Sequence, residues 1–244
     1  MFAHRTLFVI GAGASFEFGL PVGSTLAQRI STKLNFTPTY GRSHSSGGDK
    51  IITKDILRNF RSNSADYFEE ARRIISGLLL ANSIDDFLDL HRDDNIMNIV
   101  GKMSIVNSII ESEHSSTLFF DRRSSAGPDF TKLQDTWLVK FMKQLGKGVE
   151  KTSLSTMFAN LTFIVFNYDR CIEQFLYDAI LNLFSVDEMK AAEILQSIKI
   201  VRPYGIIDAI KFQSNEDGTR YGAIVAYCVV PGSSTFSGGP IVAS

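Results

Sequence analysis

No stretch of this 244-residue chain reaches the roughly 18 to 20 consecutive apolar residues that a membrane-spanning helix needs. The N-terminal segment has neither a basic stretch ahead of an apolar one nor a small-residue cleavage site, so the reading is a cytoplasmic protein with no membrane partner. Cysteine is nearly missing. Cys171 and Cys228 cannot build a four-thiolate zinc site, and two buried thiols suit a reducing compartment. No metal is expected. The triplet Asn160-Leu161-Thr162 matches a glycosylation acceptor but carries no meaning without secretion. An excess of one charge is also missing. The formal net charge is −1, and Arg72-Arg73 and Arg122-Arg123 are pairs rather than patches, which gives no electrostatic case for nucleic acid. With 44% hydrophobic and 21% charged residues, the composition supports a buried core and excludes global disorder.

What is present concentrates in residues 7 to 21, Leu-Phe-Val-Ile-Gly-Ala-Gly-Ala-Ser-Phe-Glu-Phe-Gly-Leu-Pro. Leu7 to Ile10 reads as a buried strand that stops at Gly11 and Gly13. Two glycines directly after a strand mark a tight turn where backbone can approach a ligand, and N–H groups at the mouth of a following helix suit a pyrophosphate. The two commonest versions of such a turn do not fit. No Gly-Lys-Ser/Thr follows it, against a P-loop phosphotransferase. The dehydrogenase pattern wants a third glycine where Phe16 stands, and an acidic strand end about 20 residues on, where the chain reads Arg29-Ile30-Ser31-Thr32.

Hydrophobic periodicity orders the rest. Helices are predicted over Val22–Leu34 (capped by Ser24, with Leu26, Ile30 and Leu34 inward), Ile51–Phe60, Ala65–Leu80 and Asp85–His91. Asn95–Ile110 is an amphipathic helix with Ile96, Ile99, Val100, Met103, Val106 and Ile110 on its apolar face, and Phe130–Leu145 is another helix. Thr37–Asp49 and Glu111–Asp129 read as polar loops. Leu161–Phe166 is a continuous apolar run, as in a strand covered on both faces. Asp169–Phe184 follows as a helix with Ile172, Phe175, Leu176, Ala179, Ile180 and Leu183 inward, then a helix over Val186–Ser197. Ile198–Val201 and Tyr221–Val230 read as strands, and the chain is Gly-, Ser- and Pro-rich from Pro231. This order describes an α/β layer with a large helical insertion. In such a layer Gly11 to Ser15 and the cluster Phe166-Asn167-Tyr168-Asp169 share the edge where ligands bind. Asp169 can also serve as a plain helix cap.

Gly-Ala-Gly-Ala-Ser-x-x-x-Gly-Leu-Pro followed by Phe-Asn-Tyr-Asp resembles the sirtuin superfamily. It is most similar to the sirtuin-like domains of bacterial anti-phage defence systems, which hydrolyse NAD; Ser83-Ile84-Asp85-Asp86-Phe87 matches them in style. The resemblance implies a Rossmann-like parallel sheet of the sirtuin and deoxyhypusine-synthase-like NAD-binding architecture, spanning 1–230 with a helical insertion over about 51–150 and a loose tail at 231–244. It implies NAD as substrate, cleaved to nicotinamide and ADP-ribose, in abortive-infection defence. Carried over by motif, Gly11, Ala12, Gly13 and Ser15 hold the phosphates, Asn167 orients ribose and water, and Asp169 faces the nicotinamide side. Gly19, Pro21 and Gly205 join the cofactor-binding set, and Asp85 or Asp86 either lines the pocket or opens an exposed helix.

Two departures bear on activity. The four cysteines of deacetylating sirtuins have no counterpart, against protein deacetylation. The family's His-Gly, whose histidine is the general base, is matched by Pro203-Tyr204-Gly205, with Arg202 alongside. Tyrosine, with an ordinary pKa near ~10, is a poor base at neutral pH. Two readings stay open: Asn167 and Tyr204 position water for slow hydrolysis, or the domain binds NAD or an ADP-ribose derivative as a sensor without turning it over. A fold kept only as a scaffold has no need of the intact Gly11, Gly13, Ser15, Asn167 and Asp169. Of the four histidines, His4 precedes the first strand, and His44 and His114 fall in polar loops. His91 ends an amphipathic segment and reads as packed or capping, though it is the one to stand in as base. Because members of that family usually carry a second domain, the resemblance also implies a separate sensor chain or a homo-oligomer as partner, or that this sequence is a fragment of a longer protein.

Overall fold

The computed structural model describes residues 2–37, 46–120, 127–205 and 207. The predicted strand at Tyr221–Val230, the tail at 231–244, His44 and Cys228 lie outside them. Chain order begins β1 (Thr6–Ile10), α1 (Gly13–Phe16), α2 (Gly23–Leu34), β2 (Phe36–Thr37), β3 (Ser46–Gly47), α3 (Lys50–Asn59) and α4 (Ser64–Leu78). It continues α5 (Ile84–Leu90), α6 (Asn95–His114), α7 (Phe130–Leu133), α8 (Trp137–Leu145), β4 (Leu161–Val165), α9 (Cys171–Phe184), α10 (Glu188–Gln196) and β5 (Lys199–Val201). The class is mixed α/β, with a small parallel sheet and many helices. Two compact units divide the chain: one of Met1–Leu20 and Ser112–Ser244, the other of Pro21–Glu111.

In the first unit β4 lies between β1 and β5, parallel to both, with Phe8 opposite Phe163 and Phe163 opposite Ile200. Side chains alternate across a strand, so this row and its neighbours Ile10 and Val165 face one side. There the Phe8 and Phe163 rings stack at 5.3 Å, and Phe141 of α8 meets both edge-on at 5.3 and 5.8 Å. Ile172, Phe175 and Leu176 of α9 and Ile194 and Leu195 of α10 complete this core. The opposite rows differ: Leu7 and Val9 are 55% and 64% exposed and Val201 is 44% exposed. Two expectations are therefore corrected: Leu7–Ile10 is not a buried strand, since only Ile10 is buried, and Leu161–Phe166 is not covered on both faces, since Thr162 and Ile164 are only half-buried. The reason is topological. Right-handed crossovers between parallel strands fall on one face as long as the strand order does not reverse, and among the described residues the order β1-β4-β5 does not.

Two other expectations change here. The single helix predicted over Phe130–Leu145 is two, α7 and α8, because Thr136 is extended and its hydroxyl bonds back to the Leu133 carbonyl at 2.7 Å. The Trp137 N–H is instead taken by Glu17 Oε2 at 2.8 Å, and the indole N–H by the Ala14 carbonyl at 2.8 Å, which tethers α1. Helix α9 is buried all round from Cys171 to Ile180, polar Glu173, Gln174 and Asp178 included, whereas Leu183, predicted inward, is exposed. A helix buried on every side obeys no amphipathic stripe.

In the second unit α2, α3, α4 and α5 fall within two residues of their predicted bounds, and Leu26, Ile30 and Leu34 are buried as expected. Ser24 is not the cap of α2; Val22 occupies that position without a side-chain bond. The predicted loop at Thr37–Asp49 is flanked by an antiparallel pair, Phe36 opposite Gly47. Asp49 caps α3 through the N–H groups of Ile51 and Ile52 at 2.8 and 3.1 Å, and Lys33 Nζ reaches it at 2.9 Å. Burial pushes the Asp49 carboxyl up, but the bonds from Lys33 and the α3 N–H groups outweigh it and hold the pKa low.

Helix α6 runs four residues past its predicted end, so Glu111–His114 are helical rather than loop. Its buried positions are Met97, Val100, Gly101, Ser104, Ile105, Ser108, Ile109, Ser112 and Glu113, while Ile96, Ile99, Met103, Val106 and Ile110 are half-buried. Close approach decides this face: a Cβ on Gly101 would stand 2.5 Å from Leu88 Cδ2 of α5, and the Ser104 hydroxyl is satisfied by the Gly101 carbonyl at 2.6 Å.

Gly77 of α4 plays the same part toward Phe87, where an added Cβ would lie 2.0 Å from Cε2 of a buried ring. Gly77→Ala is expected to destabilise the protein by about 1–3 kcal/mol through overpacking, although alanine alone would favour the helix by about 1 kcal/mol. Urea unfolding tests this. A midpoint equal to or above that of the unsubstituted chain would refute the close packing of α5 on α4.

Candidate functional site

The site is assembled by strand register. Ile10 is opposite Val165, and the Phe166 N–H donates to the Ile10 carbonyl at 2.9 Å, so β1 and β4 end side by side and release their following residues together. Past Ile10, Gly11 and Ala12 lead into α1 with Ala14 N–H to Gly11 O at 2.9 Å and Ser15 N–H to Ala12 O at 3.1 Å. Ser15 thereby points across to the segment after β4. The Asn167 amide donates to Ser15 Oγ at 2.8 Å, and Ser15 Oγ donates to Asp169 Oδ1 at 3.0 Å, across 152 and 154 residues of sequence. All three are buried. Amide, hydroxyl and carboxylate form one directed relay, with the hydroxyl proton aimed at the carboxylate.

Asp169 Oδ1 also accepts from the Cys171 N–H at 3.1 Å, so one carboxylate oxygen satisfies the first N–H of α9 while holding Ser15. Gly11 and Gly13 have no described atom within 4 Å of a Cβ built on them. Neither has the positive φ that demands glycine. Their lack of a side chain thus serves neither the turn nor the packing of described residues, and it leaves the backbone open to approach. Gly19 has a local cause: at φ 90° it closes α1, with its N–H to Phe16 O at 2.9 Å and Leu20 N–H to Ser15 O at 3.3 Å. Pro21 is buried and begins the second unit. Gly205, at φ 81°, ends a turn whose N–H bonds Arg202 O at 3.1 Å. Tyr204 in that turn is 55% exposed, its ring 5.7 Å from that of Phe166.

The structure adds a buried charge network that sequence reading missed. Arg170 and Glu113 are both fully buried; Glu113 Oε1 accepts from the Arg170 N–H at 2.9 Å and from Nε at 3.2 Å, and Arg170 Nη2 bonds Glu113 Oε2. Burial pushes the Glu113 carboxyl above its ordinary range against the pull of Arg170. Arg202 forks onto Glu173, with Nη2 at 2.6 and 2.8 Å from its two oxygens, and sends Nη1 to the Asn167 carbonyl at 2.6 Å. Asn167 and Asp169 are thus held from behind by two buried ion pairs. The available signal was helical phase: Glu113 follows Ile109 by four residues, and the Ser-rich composition hid it.

Asp85 and Asp86 open α5 in the second unit, where Ser83 caps the helix by accepting from the Asp86 N–H at 3.0 Å. His91 packs on Phe87 at 4.5 Å, with Nδ1 2.9 Å from the Phe87 carbonyl, as a capping histidine does. His114 ends α6 rather than lying in a loop; its ring sits 5.1 Å from Phe119, and burial, then the Arg170 charge, lowers its pKa. His4 lies ahead of β1. Among the described residues no group of three His, Cys, Asp or Glu side chains could hold a metal ion, and no helix is long and apolar enough to cross a membrane.

No family model matches the chain, and no curated protein or solved structure matches it.

Proposed function

We propose that this chain hydrolyses the nicotinamide–ribose bond of NAD. The observation that carries the reading is the Ser15–Asn167–Asp169 relay at the paired ends of β1 and β4, with Gly11 and Gly13 open beside it. The motif that supplies these residues also carries the finer fold reading, a sirtuin-like, Rossmann-type sheet, and the assignment to bacterial anti-phage defence with a sensor chain or further copies as partner.

The chemistry asks little of acid–base groups. Nicotinamide leaves as a neutral amine, taking the C–N bonding pair to its ring nitrogen, so no acid has to protonate it. The ribose C1′ becomes oxocarbenium-like, a water oxygen bonds to it, and that water's second proton passes to solvent. The protein's task is to stabilise positive charge at C1′ and to orient the water. Asp169 supplies the negative charge, and Asn167 orients ribose and water. The Ser15 hydroxyl is committed to both, so the pyrophosphate falls to the backbone of Gly11, Ala12 and Gly13. Tyr204 borders the site, and hydrolysis without a strong base is slow.

The test is nicotinamide release from NAD by the full chain. A second reading, binding without turnover, is favoured by one observation: Tyr204, matched by the resemblance to a catalytic histidine, is 55% exposed and packs its ring beside Phe166. Saturable ADP-ribose binding with no nicotinamide release would select that reading.

A further inference from the structure

Phe166 and Tyr204 are large aromatic side chains that the fold leaves in the open, 39% and 55% exposed, with ring centroids 5.7 Å apart and planes inclined at 58°. Both stand on hydrogen-bonded backbone. Phe166 directly follows β4, its N–H tied to Ile10. Tyr204 follows Arg202, whose guanidinium, nearly buried with Glu173, bonds the carbonyl of Asn167, the residue next to Phe166. The turn is then closed by Gly205 in the left-handed region. One arginine therefore ties the segment that carries Tyr204 to the segment that carries Phe166 and Asn167. Burying an ion pair to hold two exposed rings in place adds little to a core, but it preorganises a surface that a flat molecule can meet.

We propose that Phe166 and Tyr204 form a stacking mount for the planar nitrogen heterocycle of the nucleotide, so that Tyr204 acts through its ring and not its hydroxyl. The inference rests on the nucleotide reading of the neighbouring relay. Aromatic side chains take flat bases against their faces, and each such stack is worth about 1–3 kcal/mol, roughly five- to more than a hundredfold in affinity. Adenine and the nicotinamide ring share this chemistry.

Calorimetric titration of the full chain with ADP-ribose and, separately, with nicotinamide mononucleotide tests it, using Tyr204→Phe, Tyr204→Ala and Phe166→Ala after a thermal-melt check of folding. Tyr204→Phe is expected to bind within about twofold of the unsubstituted chain, and the two alanine variants about tenfold more weakly. A loss confined to ADP-ribose assigns the mount to adenine; one confined to the mononucleotide assigns it to nicotinamide. Loss in Tyr204→Phe equal to that in Tyr204→Ala would overturn the proposal, because the hydroxyl would then be the contact. Unaltered affinity in both alanine variants, or no binding of either probe, would overturn it too. Nicotinamide release separates this from the underlying reading. Release with unchanged affinity in the alanine variants removes the mount and keeps the hydrolase. Ring-dependent ADP-ribose binding without release keeps the mount and removes the hydrolase.

Discussion

Asn167→Ala is expected to lower the rate of nicotinamide release by about two to three orders of magnitude, the usual cost of removing one preorganised polar group beside developing charge. The substitution also removes the donor to Ser15 Oγ at 2.8 Å. Ser15 keeps its bond to Asp169, so the fold is expected to hold and the loss to fall on turnover rather than on melting temperature. Asp169→Asn should act differently. It keeps size and one acceptor but removes the negative charge, and the contact at the start of α9 weakens as well, since Asp169 Oδ1 also receives the Cys171 N–H. Rates are read at saturating NAD, beside thermal melts. Asn167→Ala turnover equal to that of the unsubstituted chain would remove Asn167 from the chemistry.

The largest stability effect is expected at Arg170. Breaking a fully buried ion pair by removing one partner costs about 3–5 kcal/mol, and Arg170 and Glu113 are each 0% exposed. Arg170→Met keeps the length of the side chain and leaves Glu113 buried without its guanidinium. Burial already raises the Glu113 carboxyl, and without Arg170 nothing of like strength opposes it. A carboxyl whose folded pKa lies above its unfolded value, about 4.3 for glutamate, contributes fully below that value and loses its contribution as pH rises through the folded one. Arg170→Met is therefore expected to approach the stability of the unsubstituted chain in acid and to fall behind with rising pH, by at most about 1.4 kcal/mol per pH unit. Denaturant unfolding across pH 4 to 8 measures this. Adding Glu113→Leu should recover most of the loss, because an apolar pair of similar volume is often as stable as the ions. A pH-independent loss, or no recovery in the double variant, would refute the coupling.

Parts of this architecture could be read before any fold was known. Leu7–Ile10 ending at glycine, the apolar run at Leu161–Val165 and the helix after Asp169 stand where local pattern put them. What sequence missed was concentrated in α6 and α9. On α6 Met97, Val100, Ile105 and Ile109 are buried beside Gly101, Ser104 and Ser108, while Ile96, Ile99, Met103, Val106 and Ile110 are half-buried; apolar residues stand on both faces, so hydrophobicity alone does not choose between them. On α9 there is no exposed side to contrast with.

The residue types around the site, two glycines and a serine after one strand and Asn-x-Asp after another, were determined by sequence alone, because turns and caps depend on neighbours a few positions away. The rule for parallel sheets placed them on one edge, and only the tertiary structure decided that their side chains bond. The β1–β4 register sets Ser15 against Asn167 and Asp169, and Leu7, Val9 and Val201 on the other sheet face are exposed. The same holds for Glu113 and Arg170, 57 residues apart. No periodicity encodes such a partner, since a buried charge finds its counterion through packing in three dimensions.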